Sequence, residues 1–275
     1  MKSVRCLVVP LFITVLLGSS HVMAQSFIMR DIAGDRPRIG VRFMRPAVDG
    51  VDLSAMSGAF DLSFTLPLSP STAILASLPF STIAAEGWDR ESGIGNIFLG
   101  LQAHIGSSDI RTSAFTVGLF IPTAGENKWD ANIIGMFSNY HEFQKYIPHT
   151  LTAYVNQSVR FNTLEGAIFG IEAGANILIP TEDQEYRDTD MFARYGLTGG
   201  VSTSGFAFLF ELTGLVWLSG DFVDFGDRFY HSLAFGAQYT GIPLRPGIFY
   251  MLYLKDVLSD DVDGVLGFKL EFVVP

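Results

Sequence analysis

The sequence lacks most features of disulfide-stabilised domains, nucleic-acid-binding proteins and helical membrane proteins. Its 275 residues include one cysteine, which excludes an intramolecular disulfide. The formal net charge of −10 argues against nucleic acid as a partner, because phosphate contacts need clusters of Lys and Arg. After the first two dozen residues, no apolar run approaches the roughly 20 residues that a membrane-spanning helix needs. The 48% hydrophobic content excludes intrinsic disorder.

The N-terminus has the order of a secretory signal peptide. Lys2 and Arg5 precede an apolar stretch over residues 6–17, and the small residue Ala24 ends the segment. We therefore predict that residues 1–24 are cleaved during export. The cleavage would also remove the only cysteine, so thiol chemistry is not expected in the mature chain.

Apolar and polar residues alternate along the rest of the chain. Within residues 166–179, Ile171 and Ile177 fall on one parity, whereas Glu172 and Asn176 fall on the other. Successive side chains of a strand point to opposite faces, so such a segment has one apolar and one polar face. Many of these segments exceed the 5–6 residues typical of soluble strands and suit tilted membrane strands, which need about 9–11.

The connections between the alternating segments fall into two classes. Short connections follow the even-numbered segments, and long, acidic ones follow the odd-numbered segments, as in an outer-membrane barrel with periplasmic turns and outer loops. We predict an all-β fold: a closed antiparallel up-and-down transmembrane β-barrel over residues 38–275, preceded by a short periplasmic segment at 25–37. The twelve predicted strands are 38–46, 58–69, 72–83, 93–106, 111–122, 150–162, 166–180, 191–203, 205–219, 229–240, 246–256 and 262–274.

The longest connection has a pattern different from that of the strands. Between residues 121 and 148, Ile133, Phe137, Tyr140 and Gln144 follow helical spacing. We predict a short amphipathic helix that caps or enters the lumen. The alternative is a further pair of strands, which would give a barrel of fourteen.

The parity of the strands also assigns residues to the lumen. A Lys or Arg on the lipid face costs about 2–4 kcal/mol at the membrane midplane, so charged strand residues are expected inside. These charges either form a constriction on the path of a partly apolar solute or pair across the barrel and fill it; the two interpretations are equally favoured. The predicted lumen-lining residues are Arg38, Arg42, Asp61, Asn96, Phe98, His104, Arg160, Glu172, Arg194, Glu211, Trp217, Lys269 and Glu271.

The sequence contains no recognisable motif of a catalytic or metal site. His231 and Ser232 are adjacent, so they point to opposite faces of a strand and cannot form a catalytic pair within it. We predict no catalytic residue, cofactor or metal, and a lipid-modifying barrel enzyme is the less favoured alternative. The expected partners are outer-membrane lipid and lipopolysaccharide, the barrel-assembly machinery and a small-molecule solute.

Two segments resemble a known family. The glycine-rich strand 93–101, the loop Ile121-Pro122-Thr123-Ala124-Gly125 and the following Lys128-Trp129-Asp130 resemble the MetA-pathway phenol-degradation family of outer-membrane barrels. The resemblance implies a channel for hydrophobic or aromatic small molecules and supplies no catalytic residues. It also favours a strand after the Trp-Asp pair, and the chain departs from the usual terminal aromatic because three residues follow Phe272.

These observations predict a passive channel for small, partly hydrophobic molecules in the bacterial outer membrane. The alternative is a closed structural or surface-binding barrel without an open pore.

Overall fold

The computed structural model of the chain describes residues 26–85, 89–108, 110–182, 188–220, 225–254 and 256–274. The predicted signal peptide lies outside the described residues. In the described part of the chain, no helix is long and apolar enough to cross a membrane.

The protein is a closed antiparallel β-barrel of twelve strands with one additional short strand, so the predicted fold class and strand number are confirmed. Each barrel strand pairs with its neighbours along the chain, and β1 pairs with β13 to close the sheet. The β1–β13 pairing closes the barrel, so neither of these strands leaves an unpaired edge, as a hydrocarbon solvent requires. The strands are β1 Arg38–Val48, β2 Gly58–Ser69, β3 Thr72–Ile83, β4 Glu91–Ile94, β5 Ile97–Ser107, β6 Arg111–Ile121, β7 Thr150–Asn162, β8 Ala167–Pro180, β9 Asp190–Thr203, β10 Phe206–Trp217, β11 Phe229–Tyr239, β12 Leu244–Tyr253 and β13 Val262–Val273.

The predicted helix in the longest connection is confirmed, and the fourteen-strand alternative is wrong. We call residues 123–149 the inner loop; it contains helix α1, Trp129–Ser138, and a 3-10 helical segment, Tyr140–Tyr146. The additional strand β4 comes earlier in the chain, where it pairs with the end of β3. The other helical elements are the 3-10 turn Phe225–Arg228 and the short helix α2, Asp256–Ser259.

The outer face of the barrel is apolar, as the alternation predicts. Phe208 and Phe210 on β10 are both half exposed. Phe43, Phe60 and Phe80 on β1, β2 and β3 stack side by side, with ring centroids 4.4 and 4.5 Å apart. Such aromatic cross-strand contacts stabilise neighbouring strands and suit a surface that faces lipid.

Short turns and long connections lie at opposite ends of the barrel, which we call the turn end and the loop end. The first residue of β1, Arg38, pairs with Val273 near the end of β13, so both strands meet at the turn end. Short turns face the periplasm in outer-membrane barrels. The N-terminal segment, residues 26–37, therefore reaches the barrel from this end, whereas the inner loop enters from the other.

Asn96, between β4 and β5, fixes the inner loop to the barrel wall. Its side-chain amide donates hydrogen bonds to the carbonyl oxygens of Gln144 and Ile147, at 2.9 and 2.8 Å. Its side-chain oxygen accepts hydrogen bonds from the backbone N–H groups of Thr123 and Ala124, both at 3.0 Å. Both the amide nitrogen and the amide oxygen of Asn96 are thus hydrogen-bonded, and they hold both ends of the inner loop against the wall.

We expect the substitution Asn96→Ala to destabilise the barrel by about 2–4 kcal/mol, because it leaves buried backbone groups without partners. The free energy of unfolding in denaturant, measured on the refolded protein in detergent, checks this value. Asn127→Ala, at an exposed position of the same loop, is the matched control and is expected to have little effect. Equal stability of the two variants would contradict the assigned role of Asn96.

Candidate functional site in the barrel lumen

The first part of the N-terminal segment, residues 26–33, lies inside the barrel, whereas the sequence predicted only a short periplasmic segment at 25–37. Phe27 and Ile28 are buried. The carboxylate of Glu211 on β10 accepts hydrogen bonds from the backbone N–H groups of Phe27, Ile28 and Met29, at 2.8, 2.8 and 3.3 Å. A short chain that is anchored by its backbone can therefore fill the lumen without forming a domain.

The inner loop fills the loop-end half of the lumen. Helix α1 packs against the 3-10 segment at Gly135, where a Cβ atom would lie only 2.5 Å from the ring of Tyr146. Below the helix, Phe143 packs against Phe192 and Leu215 of the wall. Apolar and aromatic contacts thus join this part of the inner loop to the wall.

The two inner segments meet in a buried cluster of charges. Arg30 of the N-terminal segment contacts Glu142 of the inner loop at 3.1 Å. Glu142 also accepts hydrogen bonds from Arg42 and from Lys145, at 2.8 and 2.7 Å. Asp61 on β2 contacts Arg42 and Lys145 at 3.0 and 2.6 Å. Each charge therefore has an opposite partner, as buried ions require.

A second cluster joins the same segments to the opposite wall. Glu172 on β8 accepts a hydrogen bond from the backbone N–H of Arg30 at 3.0 Å and contacts Arg194 on β9 at 3.2 Å. Arg194 donates to Nε2 of His141 at 2.6 Å, so this nitrogen is an acceptor and the ring is neutral. Burial, followed by the charge of Arg194, lowers the pKa of His141 below its usual value.

The structure places the predicted lumen-lining residues on the inner face, where most of them contact one of the two inner segments. Arg42, Asp61, Asn96, Glu172, Arg194 and Glu211 make the contacts described above. Arg38 and Lys269 donate to backbone oxygens of the N-terminal segment, those of Ile32 and Ser26, both at 2.8 Å. Arg160 donates to the hydroxyl of Ser26.

The remaining four predicted residues line the wall at different heights. Arg30 lies over the ring of Phe98, 4.5 Å from its centroid. His104 lies beside the backbone of the N-terminal segment. Near the loop end, the ring of Trp217 stacks on the ring of Phe192, with ring centroids 5.5 Å apart. Glu271 pairs with Arg245 at 3.3 Å.

The sequence predictions did not include the charged residues that the inner segments contribute. Arg30 and Asp31 precede the first strand, and Glu142 and Lys145 lie in a connection, so parity assigns them to neither face. The sequence does contain one indication of them: Glu142 and Lys145, three residues apart, interrupt the apolar helical pattern of the inner loop. Charges in such a stretch need buried partners if the stretch enters the lumen.

No known protein-family model matches the sequence, and no curated protein matches it. In structure, an outer membrane channel from Pseudomonas putida F1 superposes with a TM-score of 0.63, at 12% identity, over 92% of this chain and 100% of that chain. The two chains share the fold of a closed β-barrel. The KdgM porin has a TM-score of 0.52 at 6% identity, over 86% and 99% of the two chains.

The same fold carries other barrels as well. LpxR from Salmonella typhimurium superposes with a TM-score of 0.50 at 10% identity, over 86% of this chain and 100% of that chain. The barrel fold that the sequence resemblance implies is confirmed. One fold can carry several activities, so the function has to be inferred from the residues in the lumen.

A cavity of about 250 Å³ opens between the inner loop and strands β7, β8 and β9 near the loop end. Its walls are mainly apolar and aromatic, with two acidic residues beside them. An apolar cavity of about 150 Å³ is already large enough for benzene, so this one can hold a single substituted ring. The lining includes Trp129, Met136, Tyr146, Ile147, Leu178, Asp188 and Asp190.

The geometry gives no support to a catalytic site at His231. Its ring hydrogen-bonds the hydroxyl of Tyr195, whereas Ser232 is buried. The two neighbours point to opposite faces, as predicted. Within the described ranges, no group of three His, Cys, Asp or Glu side chains is placed to hold a metal ion.

Proposed function

We propose that this protein is an outer-membrane channel for small, partly hydrophobic molecules, closed in the present conformation by the N-terminal segment and the inner loop. The comparisons support the channel fold, and the KdgM porin has also been solved in complex with disordered oligogalacturonate. We place the protein in the bacterial outer membrane and expect no catalytic activity.

One observation carries the proposal: the lumen holds buried polar groups that neither the wall nor the two inner segments hydrogen-bond. Both polar atoms of the Gln144 and Asn176 amides, and the hydroxyls of Thr152 and Thr213, have no protein hydrogen-bond partner. A permanently packed interior pairs nearly all such groups with protein or with ordered water. Water would hydrate these polar groups if the inner segments moved and the lumen filled.

The solute class is inferred from the loop-end half of the lumen. The cavity there has mainly apolar walls, and Phe143, Phe192 and Trp217 continue the aromatic lining inward. Below it, the charged clusters and polar wall are suited to a solute with a polar group. A small molecule with an aromatic or aliphatic body and one polar end matches both halves.

The second candidate function is a closed structural or surface-binding barrel. The observation that favours it is the extent of pairing between the two inner segments and the wall, which leaves a cavity of only about 80 Å³ beside the N-terminal segment. In that case, no solute would pass.

Single-channel recording on the refolded full chain in a planar bilayer distinguishes the two functions. We expect long closed periods interrupted by small conductance steps, because opening requires the polar contacts of the inner segments to break. Unfolded protein added to the same bilayer is the control. A folded preparation that shows no steps under any applied voltage would favour the closed barrel.

A further inference from the structure

Asp31 of the N-terminal segment lies in a basic site on the lumen wall. Its Oδ2 accepts a hydrogen bond from Nζ of Lys269 on β13 at 2.8 Å, and its Oδ1 accepts one from the backbone N–H of Ser26 at 2.8 Å. Arg38 on β1 and Arg160 on β7 add electrostatic attraction to the same carboxylate. One cation, Lys269, thus contacts a carboxylate that belongs to another segment, and two further cations on other strands attract it.

Two of the basic residues also bind other groups of the N-terminal segment. Arg38 donates to the carbonyl oxygen of Ile32, and Arg160 donates to the hydroxyl of Ser26. The wall carboxylate Glu271 lies in the same cavity; it pairs with Arg245 at 3.3 Å and is also attracted by Lys269 and Arg38. Without Asp31, the site would therefore lack the one negative charge that it receives from the N-terminal segment.

We infer that Lys269, Arg38 and Arg160 form a binding site for the carboxylate group of a small solute, which Asp31 occupies while the channel is closed. This inference rests on the proposed function and specifies the polar end of the solute. A carboxylate accepts hydrogen bonds through two oxygens and matches the cation set that holds Asp31. The solute would compete with Asp31, and its binding would release the N-terminal segment.

The site has space for such a ligand once the Asp31 side chain leaves. The cavity of about 80 Å³ is lined by Asp31, Arg38, Lys269 and Glu271, together with wall residues of β2 and β3. Truncation of Asp31 would join the volume of its side chain to this cavity. The substitution Asp31→Ala should therefore expose both the charge and the volume that a carboxylate needs.

Isothermal titration calorimetry on the refolded full chain, at constant ionic strength, tests the inference with benzoate as the probe. We expect Asp31→Ala to bind benzoate at least tenfold more tightly than the wild type. Benzamide, which has the same ring but no charge, should bind both proteins equally weakly. Asp35→Ala removes an exposed carboxylate from the same segment and should behave like the wild type.

When Lys269→Gln is combined with Asp31→Ala, the gain in benzoate affinity should be lost. When Lys269→Arg is combined with Asp31→Ala, the gain should be retained. Heat-modifiable electrophoretic mobility reports whether each variant is a folded barrel. Equal benzoate affinity of the wild type and Asp31→Ala, or equal binding of benzoate and benzamide to Asp31→Ala, would overturn the inference. Calorimetry requires no conduction, so benzoate binding without channel activity would refute the proposed function alone.

Discussion

Deleting residues 26–34 is expected to raise the single-channel conductance severalfold and to shorten the closed periods. These residues fill the turn-end half of the lumen, and their backbone is held by Glu211 and Glu172. Without them, the wall carboxylates can be hydrated, and only the inner loop still narrows the path. Planar-bilayer recording of the refolded deletion variant and the full chain, at the same salt concentration, measures the difference.

The matched control for the deletion is a double substitution, Asp35→Ala with Arg36→Ala. Both residues are exposed and belong to the same segment, so their loss should leave the conductance unchanged. If the deletion variant folds but conducts no better than the full chain, the N-terminal segment is not the main barrier. The inner loop would then close the channel by itself.

Glu142→Gln is expected to lower the free energy of unfolding at neutral pH by about 3–5 kcal/mol, the usual cost of breaking a buried ion pair. Glu142 is buried and lies within hydrogen-bond distance of Arg30, Arg42 and Lys145. The neutral amide would leave these cations short of one negative charge. Denaturant unfolding gives the stability, and chymotrypsin cleavage of the inner loop reports its release.

The effect of this substitution should depend on pH in a defined direction. Burial raises the pKa of Glu142, but Lys145, Arg30 and Arg42 outweigh it and hold the pKa well below the usual 4.5. The stability that a carboxylate with a lowered pKa contributes is present above its unfolded pKa and is lost as pH falls through the folded pKa. The difference in the free energy of unfolding between the wild type and Glu142→Gln should therefore be constant near pH 7 and decrease below pH 4.5.

Glu126→Gln is the control for both measurements. This carboxylate lies in the same loop and is 74% exposed, so its loss should change stability little at any pH. A constant difference between the wild type and Glu142→Gln down to strongly acid pH would show that Glu142 does not stabilise the fold through its charge.

Sequence alone predicted the wall of this barrel closely. The alternation in β8, with Ile171 and Ile177 outside and Glu172 and Asn176 inside, follows from the two-residue period of a strand. The period is a local property, so no knowledge of the partners is needed to assign a face. Helical spacing likewise identified α1 in the inner loop, although the family resemblance favoured strands there.

The contents of the lumen could not be predicted in the same way. Arg30, Asp31, Glu142 and Lys145 lie in segments without a strand period. Their contacts join residues far apart in the chain, 112 positions in the case of Arg30 and Glu142. Sequence determined which side chains point inward, because the solvent outside is apolar and the pleat is regular. Only the tertiary structure decided which groups those side chains contact. Charges inside the barrel pair with the charges that lie close in space, wherever these stand in the sequence.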